Sequence, residues 1–117
     1  MDKKIKKIEE LTAKTVLNNE GKEKMIKTSL ADFEGWDPKA RLFSIIQVRP
    51  GEEVEYHKHI GENETYFILS GQGSYNDNGT KVEIGPGMVT FTPSGESHGI
   101  KNTGDEDLVF IALIVVE

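Results

Sequence analysis

The chain has 117 residues, a formal net charge of -6 and no cysteine. This length allows one domain with one hydrophobic core. The acidic balance argues against nucleic acid as a partner, because a negative field repels phosphate backbones. The absence of cysteine excludes disulfides, thiolate metal sites and cysteine nucleophiles, and it fits a reducing compartment.

The N-terminal stretch and the apolar runs bear on where the protein resides. Residues 1–16 are charged throughout and lack the apolar segment of a secretory signal. The longest apolar run, Leu108 to Val116, is too short to cross a bilayer as a helix. We therefore expect a soluble, cytoplasmic protein with no membrane partner.

In chain order, the first 35 residues show only a weak pattern. The stretch "KKIKKIEELTAKTVL" fits either a short helix or an irregular lead-in, and "FEGWDPKA" fits a loop. We predict that residues 1–35 form an N-terminal segment that packs on a β-barrel domain spanning residues 36–117.

From Leu42 onward, short runs rich in Val, Ile, Phe, Tyr and Thr alternate with Gly, Pro, Asn and Asp, a pattern typical of antiparallel strands. Asn78 and Gly79 predict a tight hairpin because both tolerate positive φ. Strands at this spacing, without long helices between them, predict an all-β sandwich or barrel. The predicted strands are "RLFSIIQV", "EVEYHKH", "ETYFILS", "GSYND", "TKVEI", "MVTFT", "SHGIKN" and "LVFIALIVV".

The last predicted strand is apolar on both of its faces. A strand with one solvated face would alternate apolar with polar residues instead. We expect one face to pack inside the barrel and the other to meet a second sheet, from the N-terminal segment or from a partner subunit. We favour a homodimer. The two faces are Leu108, Phe110, Ala112 and Ile114, and Val109, Ile111, Leu113 and Val115.

The three histidines fall in one pattern. His57 and His59 project from the same face of a strand, roughly 6.5 to 7 Å apart along the backbone. Glu64 begins the next strand, and His98 follows a Pro/Gly turn. Three imidazoles and one carboxylate suit a divalent first-row ion: Mn, Fe, Co, Ni, Cu or Zn. One histidine alone is more often a hydrogen-bonded residue than a ligand, and Glu64 alone fits an edge-strand carboxylate, but no histidine lies outside this pattern.

The spacing of the fixed residues resembles the two motifs of the cupin superfamily. The first motif reads Gly51, five residues, His57, one residue, His59, four residues, Glu64, six residues and Gly71. After a spacer of 15 residues, the second reads Gly87, five residues, Pro93, one residue, Gly95, two residues, His98, three residues and Asn102.

This resemblance implies a small single-domain cupin, a β-barrel or jelly roll of roughly six to eight strands. It further implies a divalent transition metal, with Mn, Fe, Ni and Zn as candidates, bound by His57, His59, Glu64 and His98. Asn102 is expected to hold a turn rather than to touch a ligand.

The pocket wall is expected to consist of residues that share the ligands' strand face. Because alternate residues of a strand share a face, Tyr66 and Ile68 share the face of Glu64, and Ile100 shares the face of His98. Phe91 is a further candidate. This lining is mostly apolar and suits a small, partly hydrophobic ligand.

We make a separate prediction for each of four charged residues near the motifs. Neither Arg41 nor Arg49 belongs to a motif, and Arg49 is expected at a rim. Lys58 lies between two inward ligands and is expected to point to solvent. Glu96 fits either an acceptor for a ligand imidazole or an exposed turn residue.

Four protein ligands on an octahedral ion leave two open positions. The local charge of about +1 favours an enolate, a carboxylate or a 1,2-dioxygenated ligand. We expect a metal-dependent enzyme acting on a small oxygen-rich substrate, of the dioxygenase, isomerase or decarboxylase type. The alternative is a non-catalytic protein that binds or senses a small ligand. A positioned acid or base beside the open positions would favour the enzyme, with Tyr66 and Glu96 as first candidates.

Overall fold

The computed structural model describes residues 4–117. A single 3₁₀ turn at Ile8–Glu10 precedes ten strands, and no α-helix occurs in this range. The strands are β1 (Ala13–Leu17), β2 (Glu23–Ser29), β3 (Ala40–Val48), β4 (Glu53–Lys58), β5 (Glu62–Ser70), β6 (Gly73–Asp77), β7 (Thr80–Ile84), β8 (Val89–Thr92), β9 (Ser97–Asn102) and β10 (Leu108–Val116).

The strands form two antiparallel sheets that enclose one core. The six-stranded sheet has the order β1-β2-β3-β10-β5-β8, and the four-stranded sheet has the order β4-β9-β6-β7. From β3 onward, every connection except the β6–β7 hairpin passes from one sheet to the other, as in a jelly roll. The all-β prediction is confirmed.

All eight strands predicted after residue 40 are present, as β3 to β10. The β6–β7 hairpin turns at Asn78 and Gly79, whose φ angles are 51° and 98°. Asp77 pairs with Thr80 directly across this two-residue turn. Both central residues therefore adopt the left-handed conformation that the sequence predicts.

Two strands lie within the first 35 residues, and β1 occupies part of the stretch predicted as a short helix or an irregular lead-in. β1 pairs with β2, and β2 pairs with β3 through Met25 and Val48, so both extend the six-stranded sheet. Residues 1–3 of the predicted segment lie outside the described range. The division of the chain into an N-terminal segment of residues 1–35 and a domain of residues 36–117 remains a prediction.

The last strand, β10, lies at the centre of the six-stranded sheet between β3 and β5. Its inner side chains, including Leu108 and Phe110, are fully buried, while those on its outer face are half-buried. On that outer face the Trp36 ring stacks on Phe43, with ring centroids 5.7 Å apart. Within residues 4–117, no helix is long and apolar enough to cross a membrane.

Candidate metal centre

Three imidazoles and one carboxylate converge inside the jelly roll. The Nε2 atom of His59 lies 3.0 Å from Nε2 of His57 and 3.1 Å from Nε2 of His98. Oε1 of Glu64 lies 2.8 Å from Nε2 of His98 and 3.0 Å from Nε2 of His59. One ligand atom from each residue lies within 4.8 Å of all the others. The structure thus brings the four predicted ligands together.

Both sheets contribute to this cluster. His57 and His98 face each other across β4 and β9 of the four-stranded sheet. Glu64 lies on β5 of the six-stranded sheet, and His59 lies on the connection from β4 to β5. The fold brings these residues together because the chain crosses from one sheet to the other between His57 and Glu64.

A bulge in β4 orients His57 toward the interior. Between the paired positions Val54–Ile100 and His57–His98, β4 has two residues where β9 has only Gly99. A bulge changes the side-chain alternation of the strand that carries the extra residue. Val54 and His57 can therefore both line the same cavity, although they are three positions apart.

Hydrogen bonds fix the orientation of two of the imidazoles. Nδ1 of His57 lies 2.5 Å from the carbonyl oxygen of Glu55, and Nδ1 of His59 lies 2.6 Å from Oε2 of Glu62. Because a carbonyl and a carboxylate only accept, each Nδ1 carries the hydrogen. The Nε2 lone pairs of both rings then face each other, an arrangement that a cation between them stabilises.

The donor atoms of the cluster are close enough to share one ion. Metal-ligand bonds of about 2.1 Å at right angles place neighbouring ligand atoms about 3.0 Å apart. Four of the separations lie between 2.8 and 3.1 Å, and Nε2 of His57 lies 3.9 Å from Oε1 of Glu64. Three imidazoles with one carboxylate form a donor set that Mn, Fe, Ni and Zn accept. The residues present therefore fit a divalent transition metal.

The third imidazole, His98, is held from three sides. Its Nδ1 lies 2.7 Å from the Tyr75 hydroxyl and 2.9 Å from Oγ1 of Thr92. Tyr66 stacks on its ring, with centroids 4.9 Å apart and planes inclined by 28°. His98 is fully buried, so these contacts leave its ring one orientation, with Nε2 toward Glu64.

The electrostatics keep Glu64 anionic and Tyr66 neutral. Burial alone would raise the pKa of Glu64, but the three neighbouring imidazoles outweigh it and lower this pKa to about 2. The carboxylate of Glu64 in turn raises the pKa of His57. Burial raises the pKa of Tyr66 well above 10, so its phenol keeps its proton. Glu64 is therefore an ionised ligand at neutral pH.

Glu62 is a functional residue that the sequence reasoning missed. Its carboxylate accepts from Nε and Nη2 of Arg41, at 3.0 and 2.9 Å, while Oε2 also accepts from Nδ1 of His59. Glu62 precedes Glu64 by two positions on β5, so the alternation of side chains along this strand predicts that both lie on the same face. Arg41, Glu62 and His59 form one continuous polar chain.

Glu96, the acceptor that the sequence suggested, has a different partner. Its Oε1 accepts a hydrogen bond of 2.7 Å from Nδ2 of Asn78 at the β6–β7 turn. The Nδ1 atoms of the two flanking histidines, His59 and His98, are bound by Glu62 and by the Tyr75 and Thr92 hydroxyls. Of the two roles that the sequence allows for Glu96, the structure shows the exposed turn residue, because its side chain is bound to the β6–β7 turn.

Three residues of the cluster, His57, His59 and Glu64, lie on the wall of a cavity of about 340 Å³. This volume falls within the range of roughly 300 to 1,000 Å³ that is common for small-molecule sites. The cavity reaches from the ligands to the inner faces of β2, β3 and β10. Its apolar lining consists of Leu42, Ile46, Val54, Tyr66 and Ile114.

The cavity also has charged residues on its wall. Lys27, Arg41 and Lys58 are cationic, while Glu62 is paired with Arg41. Lys58 is exposed, as predicted, yet it contributes to this wall. Arg49 is elsewhere: it pairs with Glu23 and with Asp107.

Only one of the four predicted pocket residues, Tyr66, lines this cavity. Ile68 and Ile100 are 0% and 2% exposed and belong to the hydrophobic core. Phe91 is 60% exposed, because it pairs with Thr65 and shares the outer face of the sheet. Including Phe91 in the pocket is therefore wrong, and Ile68 and Ile100 support the site through the core.

A jelly roll with three histidines and one glutamate converging inside it defines a β-barrel protein with a cluster that could hold a metal ion. Residues 44–116 match the family model of the cupin domain. The chain belongs to the cupin family.

Similar sequences and structures illustrate this relationship. An oxalate-binding protein from Thermotoga maritima is 45% identical over 108 residues, covering 92% of this chain and 89% of that protein. The crystal structure of a predicted oxalate decarboxylase from Thermotoga maritima has a TM-score of 0.86 and 43% identity, over 97% of this chain and 99% of that one. An RmlC-like cupin from Shewanella frigidimarina has a TM-score of 0.79 at 15% identity, over 98% and 92% of the two chains, a likeness of fold alone.

Proposed function

We propose that this chain binds a small dicarboxylate of the oxalate class through a divalent transition metal held by His57, His59, Glu64 and His98. The observation that carries this proposal is the convergence of three Nε2 atoms and one carboxylate oxygen beside a cavity whose wall includes His57, His59 and Glu64. A relative that is 45% identical and is named an oxalate-binding protein supports this ligand class.

The charge of the cavity favours an anionic ligand. The chain as a whole carries a formal charge of -6, yet the cavity wall has three cationic side chains and two carboxylates. A bound divalent ion would add positive charge and Lewis acidity where oxygen ligands bind. A small dianion is therefore attracted to this cavity despite the acidic surface elsewhere.

The side chains of the wall favour binding over catalysis. Glu62 is occupied by Arg41 and His59, and Glu64 is occupied by the histidines. Tyr66 keeps its proton because burial raises its pKa, so it can donate a hydrogen bond but is a poor base. We therefore place ligand binding ahead of a metal-dependent decarboxylase, isomerase or dioxygenase.

Calorimetric titration of oxalate into protein loaded with Mn²⁺ tests this proposal. We expect micromolar or tighter binding that disappears after chelation of the metal and in His57→Ala. The matched control is Glu96→Gln, which changes a carboxylate next to a ligand without touching the cluster. Binding that persists without metal would contradict the proposal, and steady release of carbon dioxide from bound oxalate would establish the decarboxylase instead.

We also propose that two copies of the chain associate through the outer face of the six-stranded sheet. Phe67, Val89 and Phe91 are 43%, 65% and 60% exposed there, beside the half-buried outer face of β10. An apolar face of this kind is stabilised by a second, identical face. Light scattering should give the dimer mass for the natural chain and the monomer mass for Phe91→Asp; a monomeric natural chain would refute this.

A further inference from the structure

The wall of the cavity includes Lys27, which is paired with a second lysine and has no acidic partner. Lys27 on β2 pairs directly with Lys14 on β1, so both side chains lie on the same face of the sheet. Directly opposed residues have Cβ atoms about 4.5 to 5.5 Å apart, and like charges at this spacing destabilise a sheet. Among residues 4–117, the structure shows no hydrogen bond or ion pair at either ammonium group.

Lys27 belongs to the wall of the cavity. It pairs on its other side with Ile46, a buried residue that also lines the cavity. Its side chain is half-buried, unlike that of Lys14, which is exposed. A partly desolvated ammonium group without a carboxylate partner is a favourable contact for an anion that enters the cavity.

The other cations near the cavity differ from Lys27. Arg41 donates two hydrogen bonds to Glu62, which compensates its charge. Lys58 is exposed and lies next to the ligands on β4. Lys27 lies on β2, which β3 and β10 separate from the Glu64 strand β5. Two strands therefore separate Lys27 from Glu64 along the cavity wall.

We propose that Lys27 forms a second anion subsite, which binds the distal acidic group of a ligand whose other end chelates the metal. This inference rests on the proposed function and narrows its ligand class. A cavity of about 340 Å³ exceeds the needs of oxalate and accommodates a longer molecule. The ligand class is a 2-oxo or 2-hydroxy acid with a second carboxylate at its opposite end.

The test compares two ligands of equal length on protein loaded with Mn²⁺. Both 2-oxoglutarate and 2-oxopentanoate offer the same chelating end, but only 2-oxoglutarate has a distal carboxylate. By calorimetry, we expect 2-oxoglutarate to bind roughly tenfold more tightly, a typical gain from one partly buried charge pair. In Lys27→Gln this preference should disappear, and 2-oxoglutarate should lose more affinity than oxalate does.

Two further variants separate a specific role from a general effect of charge. Lys22→Gln removes the same charge from the β1–β2 turn, outside the cavity wall, and should retain the preference. Lys27→Arg keeps the charge and should also retain it. Equal affinity of the two 2-oxo acids in the natural chain would overturn the subsite, as would an equal loss in Lys22→Gln.

The same titrations distinguish failure of the subsite from failure of the proposed function. Tight binding of oxalate without a preference between the 2-oxo acids overturns the subsite alone. No binding of any of these carboxylates to metal-loaded protein overturns both proposals.

Discussion

Gly99 on β9 lies directly against the backbone of Tyr56 in the β4 bulge. A Cβ atom added to Gly99 would lie 2.9 Å from the nitrogen and 3.0 Å from the Cα of Tyr56. Both contacts are with backbone atoms, which cannot rotate away as a side chain would. The bulge that turns His57 inward therefore depends on a residue without a side chain on the neighbouring strand.

Gly99→Ala should move the bulge and with it His57. We expect the affinity for Mn²⁺ to fall by roughly tenfold or more, because displacement of one ligand disturbs the whole donor set. A chelator competition measures this affinity. Gly79→Ala is a suitable comparison, since its added Cβ meets no atom within 4 Å and its strain arises at a distant hairpin turn. Unchanged metal affinity in Gly99→Ala would show that the bulge tolerates the methyl group.

Glu62→Gln should weaken metal binding without unfolding the protein. The neutral amide holds Nδ1–H of His59 less strongly than the carboxylate and no longer pairs with Arg41. Loss of such a supporting contact typically reduces metal affinity by about 10- to 100-fold. The affinity is measured by competition with a chelator, and Glu96→Gln is the control. Equal effects of the two substitutions would contradict the role given to Glu62.

Metal should stabilise the folded chain. A ligand present at 100 times its dissociation constant adds about 2.7 kcal/mol, which for a chain of this size raises the midpoint of thermal unfolding by on the order of 10 °C. Scanning calorimetry with and without Mn²⁺ measures the shift. The shift should vanish in His57→Ala, whose half-buried side chain can be truncated with less damage than the fully buried His98. A shift that survives in this variant would indicate binding elsewhere.

Asn102 should contribute to stability without affecting the metal. Its buried Nδ2 donates to the carbonyl oxygens of Val48 and Glu106, and its Oδ1 accepts from the amide of Gly104. Asn102→Ala removes these three hydrogen bonds, at a cost of roughly 2 to 4 kcal/mol. Urea unfolding measures this loss. A loss below about 1 kcal/mol would mean that water replaces the amide.

Local patterns were enough to predict most of the strands and the four candidate ligands. Val, Ile and aromatic residues dominate β3, β5 and β10, and turn residues separate them. In β1 and β2 such a pattern is obscured, because lysines occupy inward positions such as Lys27. These two strands are therefore stabilised by pairing with β3, a tertiary effect that a local pattern does not show.

The polar contacts of the site depend on the order of the strands. Arg41 and Glu62 lie on β3 and β5, which are neighbours only across β10. The sequence contains no signal for that order. The outward position of Phe91 could have been predicted from its alternation with Thr92, which faces the ligand His98. Its aromatic side chain suits a pocket wall, but the alternation of side chains along β8 places it on the outer face.

The two ends of the jelly roll are closed by different means. At one end Asn102 joins the strand ends by hydrogen bonds within the protein. At the other end, the ligands come from both sheets, so an ion held by them would join the sheets there. The rate of amide hydrogen exchange should therefore depend on bound metal at one end of the jelly roll only. Without metal, amides around His59 should exchange faster, while those around Asn102 keep their protection.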